Sequence, residues 1–278
     1  MSEEKNEIKI LINEQAEFIA SPVSAFEVRD RFKPTADIVI YNASPISEDV
    51  QLKPGDQIVL IKRGETPSKG QLEALMRARH TPGVYEQLKQ GTVGIAGLGG
   101  LGSAIAIALC RIGVGKLILA DFDIVEPSNL NRQQYFIDQI GMTKSQALTE
   151  NLSKINPFIQ VESHCVKIDQ QNVEDIFGGV DVMIEAFDTP DSKAMIFECF
   201  SEIRPETPLI LASGLAGFEP NNTVKTRKLG SNVYVVGDTV SAAKPGMGLL
   251  APRVGIAAHQ QANAATRLLL GLPVCIEN

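Results

Sequence analysis

No two of the four cysteines, Cys110, Cys165, Cys199 and Cys275, lie within three residues of each other. The spacing excludes a paired-cysteine zinc clamp and a CxxC redox motif, and argues against a dense disulfide framework. A basic block is also missing. Lys and Arg number 26 against 33 Asp and Glu, a net charge of −7, which disfavours binding to a nucleic-acid backbone. The first twenty residues are acidic and carry no sustained apolar run, so no secretory signal is expected. Residues 91–110 are uncharged, but six glycines fall in the first twelve of them. They read as a buried strand, a glycine turn and a buried helix, not as a membrane span. A soluble cytoplasmic protein without a membrane partner is the expectation. Internal repeats and low-complexity tracts are absent. The 44% hydrophobic and 21% charged composition excludes wholesale disorder, and 278 residues suggest about two domains.

Residues 7–12 (EIKILI) alternate, with Ile8, Ile10 and Ile12 on one face. A turn at 13–15 leads to a second strand at 16–20. Ser21-Pro22 is the expected start of a helix over 24–32, because serine caps free amides and proline suits the first helical position. Residues 37–41 and 57–61 read as strands, the second preceded by the turn Lys53-Pro54-Gly55-Asp56. The order strand, strand, helix, strand, strand resembles the ubiquitin-like β-grasp fold, and the sulfur carrier ThiS most closely. Such a carrier ends in a free Gly-Gly carboxylate. Here the last strand runs into Lys62-Arg63-Gly64-Glu65 and continues, so no carboxylate is available for activation. Autoinhibition, docking and stability remain open as its role. Residues 65–90 form a helical bridge.

From Thr92 the pattern alternates strand and helix, which predicts a mostly parallel sheet covered on both faces. Short strands within 223–236 suggest an antiparallel addition, and an apolar helical segment closes the chain. Gly97-Leu98-Gly99-Gly100-Leu101-Gly102 places GxGxxG between a strand and a helix. There glycine lets backbone approach phosphates, and the helix start offers free amides. Asp121 follows the next strand, where a ribose hydroxyl would be read. Up to this point a nicotinamide-dependent dehydrogenase fits as well as an ATP enzyme.

The next segment reads Ala120-Asp121-Phe122-Asp123-Ile124-Val125-Glu126-Pro127-Ser128-Asn129-Leu130-Asn131-Arg132-Gln133, followed by Gly141-Met142-Thr143-Lys144. A triphosphate calls for a converging arginine and lysine; a nicotinamide has no general need for them. With Glu185-Ala186-Phe187-Asp188-Thr189, these motifs resemble the ThiF/MoeB family, the adenylating fold shared with ubiquitin-activating enzymes. The likeness covers roughly residues 77–271, and the front end points to the ThiF subgroup carrying a ThiS-like domain. The resemblance implies roles residue by residue. Gly97, Gly99 and Gly102 form the nucleotide turn, and Asp121 holds the ribose. Asn129, Arg132 and Lys144 contact phosphates, and Asp188 serves magnesium and ATP. An arginine from the partner subunit of a homodimer is Arg79, with Arg77 as its rival.

The expected fold class is α/β: a Rossmann-like doubly wound sheet with antiparallel additions (91–278), preceded by a bridge (65–90) and a small β-grasp domain (1–64). The expected function is ATP-dependent adenylation of the C-terminal glycine of a ThiS-type carrier, within thiamine biosynthesis. A carboxylate is already ionised at neutral pH, so no general base is needed and no Ser-His-Asp or Cys-His set is expected. No cysteine occurs between Ser213 and Val274, so sulfur would come from a separate donor. Cys110, Cys165 and Cys199 read as small buried hydrophobes, Cys275 as more exposed, and no zinc is expected. The alternatives are adenylation of another carrier or of a small-molecule or transfer-RNA carboxylate, a nicotinamide-dependent oxidoreductase, or a non-catalytic nucleotide-binding scaffold.

Overall fold

The computed structural model describes residues 7–275. The chain divides into two compact units, Met1–Gly83 and Val84–Asn278, and the segment expected as a bridge is shared between them.

In the first unit, β1 (Glu7–Ile12) pairs antiparallel with β2 (Gln15–Ala20) and parallel with β5 (Gln57–Ile61). β3 (Ile38–Tyr41) pairs antiparallel with β5 and with the short β4 (Ser44–Ile46), giving the order β2-β1-β5-β3-β4. Ile8, Ile10 and Ile12 are buried as their alternation requires, and they pack with Val28, Val39, Ile58 and Leu60. Helix α1 (Ala25–Phe32) is capped by Ser24 and not by Ser21. The Ser24 hydroxyl accepts from the Glu27 amide while the Glu27 carboxylate accepts from the Ser24 amide. The reciprocal Ser-x-x-Glu pair satisfies two amides, whereas Ser21 satisfies none. Helix α2 (Lys69–Arg79) ends this unit.

The second unit begins at α3 (Val84–Leu88). It then follows β6 (Thr92–Ala96), α4 (Gly100–Arg111), β7 (Lys116–Ala120), α5 (Lys144–Ile155), β8 (Gln160–His164), α6 (Val173–Phe177), β9 (Val182–Glu185), α7 (Pro190–Ile203) and β10 (Leu209–Ala212). β11 (Lys225–Lys228), β12 (Val233–Gly237) and α8 (Ala251–Leu269) complete it. The sheet order is β11-β12-β10-β9-β6-β7-β8. The antiparallel addition is β11 alone; β12 runs parallel to β10 and is the sixth strand of the parallel sheet. Alternate strand residues sort onto the two faces. Val93, Ile95, Leu117, Leu119, Val182 and Ile184 pack with α4, α5 and α8. Ala96, Ile118, Ala120 and Met183 pack with α6 and α7 through Phe177 and Phe200. Strand order reverses between β6 and β9, so a crevice opens at their C-terminal ends, where doubly wound sheets bind ligands. No helix among the described residues is long and apolar enough to cross a membrane.

Replacing Ser24 by Ala is expected to destabilise the first unit by about 1 kcal/mol in urea melts, whereas Ser21→Ala leaves the midpoint unchanged. Equal effects of the two substitutions would contradict the assigned cap.

Candidate functional site

The glycine turn is built by contact too close for side chains. Gly97 has φ +91°, and a Cβ on it would lie 2.7 Å from the Ala186 carbonyl oxygen. A Cβ on Gly102 would collide with the Gly97 carbonyl. Gly99 is different: its nearest neighbour would be Gln133 Nε2 at 3.7 Å, an ordinary contact. Helix α4 starts at Gly100 with no side-chain cap, leaving its first amides for an anion.

Asp121 lies just past β7, 8% exposed, beneath this turn. Its carboxylate accepts from the Leu98 amide (2.6 Å) and the Asp123 amide (2.8 Å). Burial raises its pKa, against the opposing pull of Lys144. Lys144, the first residue of α5, is also buried. Its Nζ lies 2.7 Å from Asp123 Oδ2 and 4.0 Å from Asp121 Oδ2. Tyr135 closes the same cluster, donating to the Leu98 carbonyl at 2.7 Å.

Asn129 ends a short 3₁₀ turn (Pro127–Asn129), where its Oδ1 accepts from the Glu126 amide at 3.1 Å. The turn sets the position of Arg132, whose Cγ lies 3.4 Å from where a Cβ on Gly100 would be. The Arg132 guanidinium donates to the Ser128 carbonyl (3.2 Å) and Asn131 Oδ1 (2.8 Å), and the residue stays partly exposed. Asp188 is exposed between β9 and α7, two residues after the Ala186 carbonyl that packs on Gly97. In the second unit Asp121 is thus bonded to the turn of Gly97, Gly99 and Gly102, Lys144 reaches Asp121, Arg132 follows the Asn129 turn and packs on Gly100, and Asp188 follows the segment that packs on Gly97. Arg79 belongs to the first unit, where its Nη2 pairs with Glu14 Oε1 at 2.9 Å. Arg77 lies 3.5 Å from Glu73.

Two polar hubs had no signal in the sequence. Glu185, fully buried, accepts from the Phe187 amide (2.7 Å), Lys193 Nζ (2.7 Å) and the Ala212 amide (3.1 Å). Burial raises its pKa while Lys193 pulls it down. At the end of β12, Asp238 accepts from Ser241 Oγ (2.5 Å), the Val240 and Ser241 amides (2.8 Å each) and Arg253 Nη2 (2.6 Å). Burial alone would raise its pKa. The Ser241 and backbone hydrogen bonds and Arg253 outweigh that and hold it at about 2. Arg253 is buried on α8, so this pair pins the base of the 238–250 loop, whose Leu249 carbonyl accepts from Asn131 Nδ2 at 3.3 Å. Of the cysteines, Cys110 is buried, but Cys165 is exposed, because it falls one residue past the end of β8 rather than within it. Cys199 and Cys275 are intermediate.

The donor set suits a magnesium-bound triphosphate. Free α4 amides, Arg132 and Lys144 are anion partners, and Asp121 keeps lone pairs for a ribose hydroxyl. Among the described residues no three His, Cys, Asp or Glu side chains are arranged to hold a metal. Magnesium asks for less, taking one or two carboxylates together with phosphate oxygens and water, and Asp188 can supply one.

Comparison with known proteins agrees with this fold. The model of the ThiF family matches residues 72–277, and that of ThiS-like ubiquitin matches residues 8–64. An adenylyltransferase and sulfurtransferase UBA4 from Kluyveromyces lactis is 31% identical over 193 residues, covering 67% of this chain and 43% of that protein. Ubiquitin-like modifier-activating enzyme 5 from Caenorhabditis briggsae is 43% identical over 95 residues, 34% of this chain and 22% of that protein. The chain thus spans less than half the length of these curated relatives. Among solved structures, the E. coli tRNA N6-threonylcarbamoyladenosine dehydratase TcdA superposes with a TM-score of 0.65 at 21% identity, covering 72% of this chain and 95% of that one. E. coli MccB with ATP gives 0.52 at 22% identity, covering 67% and 57%. These two establish likeness of fold.

The Asp238 pKa has a consequence for acid stability. A carboxylate whose folded-state pKa lies below its ordinary 3.8 stabilises the fold above that value, and the contribution is lost as pH falls towards about 2. Asp238→Asn is expected to cost at least about 2 kcal/mol at neutral pH, with the gap from wild type narrowing below about pH 4. Urea melts across that range check it; a pH-independent gap would contradict it.

Proposed function

The chain belongs to the ThiF family, and from that premise we propose that it is an ATP-dependent adenylyltransferase acting on the C-terminal glycine carboxylate of a ThiS-type sulfur carrier, in thiamine biosynthesis. The observation that carries this reading is that Arg132 packs on Gly100 of the glycine turn while Lys144 reaches Asp121, whose carboxylate is bonded to Leu98 of the same turn. One cation would serve a single phosphate. Two, placed beyond a ribose-reading acid, suit a triphosphate whose α-phosphorus is attacked.

The chemistry asks little of the protein beyond placement and charge. The carrier carboxylate forms a new bond to the α-phosphorus as the bond to the pyrophosphate oxygen breaks, and no proton moves. Asp121 orients the ribose, and the α4 amides and Arg132 hold phosphate oxygens. Lys144 exchanges part of its pairing with Asp123 for phosphate. Asp188 would hold the magnesium that neutralises charge on the departing pyrophosphate. The first unit resembles a carrier, but Gly64 is in peptide linkage to Glu65, so it is not its own substrate. A homodimer in which Arg79 leaves Glu14 to complete the neighbour's site is part of the proposal, as is a separate sulfur donor.

Carrier-dependent ATP–pyrophosphate exchange tests the reading. It is expected with a Gly-Gly-ended ThiS-type carrier, and Arg132→Ala or Asp188→Ala lowers it by about a hundredfold or more. No exchange with any such carrier, together with tight NAD binding, would overturn it. Mixing Arg79→Ala with Asp188→Ala chains is expected to restore activity in heterodimers; no gain over either variant alone removes Arg79 from the trans role.

A further inference from the structure

The Glu185–Lys193 pair, its carboxylate fully buried and its lysine partly exposed, has no part in the chemistry described so far, yet it adjoins the segment that packs on the glycine turn. Glu185 is the last residue of β9, in the centre of the sheet between β6 and β10. Its two oxygens join three separate elements. Oε1 accepts from the Phe187 amide and from Lys193 on α7, and Oε2 accepts from the Ala212 amide at the end of β10. Lys193 Nζ adds a second bond to the Ala212 carbonyl at 3.0 Å. Lys193 is only partly buried (28% exposed), so this is not a closed interior pair, and burying the Glu185 carboxylate beside it carries a solvation cost. Stability alone therefore does not explain it.

Location does. Only three residues, Phe187, Asp188 and Thr189, separate Ala186 from the start of α7. The pair clamps this segment from both sides: Glu185 holds the Phe187 amide just before Asp188, and Lys193 holds the first turn of α7 just after it. The clamped segment rests on the glycine turn, with the Ala186 carbonyl 2.7 Å and Phe187 Cδ1 3.2 Å from where a Cβ on Gly97 would be. Asp188 itself is exposed, so its place relative to the turn is set by its neighbours' anchors. We propose that Glu185 and Lys193 are positioning residues that present the Asp188 carboxylate to the magnesium–triphosphate held at the glycine turn. The inference rests on the adenylation reading, which supplies the role of Asp188. It predicts that the pair acts on the magnesium-dependent part of nucleotide binding and leaves the magnesium-independent part alone.

The experiment titrates α,β-methylene ATP into the full-length protein with and without magnesium chloride, and records the melting temperature of each variant. The double substitution Glu185→Leu/Lys193→Met replaces the pair by apolar side chains of similar bulk; it leaves the Phe187 and Ala212 amides without their carboxylate acceptor, so it is expected to fold but to melt below wild type. It should lose about tenfold or more of the affinity gained on adding magnesium, the range seen when the supports of metal-binding side chains are removed. Its magnesium-free affinity, which reports the glycine turn and Asp121, stays at the wild-type value. Asp188→Asn loses the same gain, and adding it to the double variant costs nothing further. Lys193→Arg, which keeps a cation over Glu185, is expected to retain most of the gain. Should the double variant not fold, Lys193→Met alone is read by the same criteria. A wild-type magnesium gain in the apolar variant overturns the proposal, as does an equal loss with and without magnesium. Absence of any analogue binding by wild type overturns the adenylation reading instead and is separately recognisable.

Discussion

Two stretches of backbone meet in the second unit at a distance that no side chain permits. The Ala186 carbonyl fills the space a Cβ on Gly97 would take, and the Gly97 carbonyl fills that of Gly102. The first approach brings the end of β9 onto the turn after β6, two residues ahead of Asp188. The crevice at the strand-order reversal is where the fold class puts a ligand in general. Which ligand is decided by the groups around the turn: a buried acid, a buried lysine and a partly exposed arginine.

Charge in this region is arranged in pairs with different work to do. Lys144 is shared between Asp123 and Asp121, so it can turn to an incoming phosphate without first being stripped from water. Asp238 and Arg253 instead form a closed pair, with the carboxylate saturated by four donors. That pair fixes the base of the 238–250 loop at the rim of the crevice. Glu185 and Lys193 form a third pair, neither exchangeable nor remote, behind the segment that carries Asp188. Each pair keeps one ion buried, Lys144, Arg253 or Glu185, at a cost in solvation that its partner offsets.

What could be read from the sequence was what depends on short spacing. The glycine turn, Asp121 after the next strand, and the strand–helix alternation are local patterns, and the sheet carries them as expected. Each buried hub is closed by one distant partner that short spacing does not reveal: Glu185 meets Ala212 twenty-seven residues on, and Asp238 meets Arg253 fifteen residues on. Ser21 looked like the cap because a proline follows it; the Ser24–Glu27 pair three residues later satisfies more amides and wins. Residues 233–237 looked like half of an antiparallel hairpin with β11, and they are. Their parallel pairing with β10 needed the crossover that only the tertiary structure supplies. Cys165 was misplaced by a single residue at a strand end, enough to move a thiol from the interior to the surface.

The central claim is that a carrier carboxylate oxygen attacks the α-phosphorus of ATP at this crevice. Isotope transfer tests it without reference to any rate. The carrier's C-terminal carboxylate is labelled with oxygen-18, incubated with the protein, ATP and magnesium, and the activated carrier is then cleaved by hydroxylamine. The account predicts AMP carrying oxygen-18 on its phosphate and an unlabelled pyrophosphate. Unlabelled AMP, or label in inorganic phosphate with ADP as the nucleotide product, would contradict it.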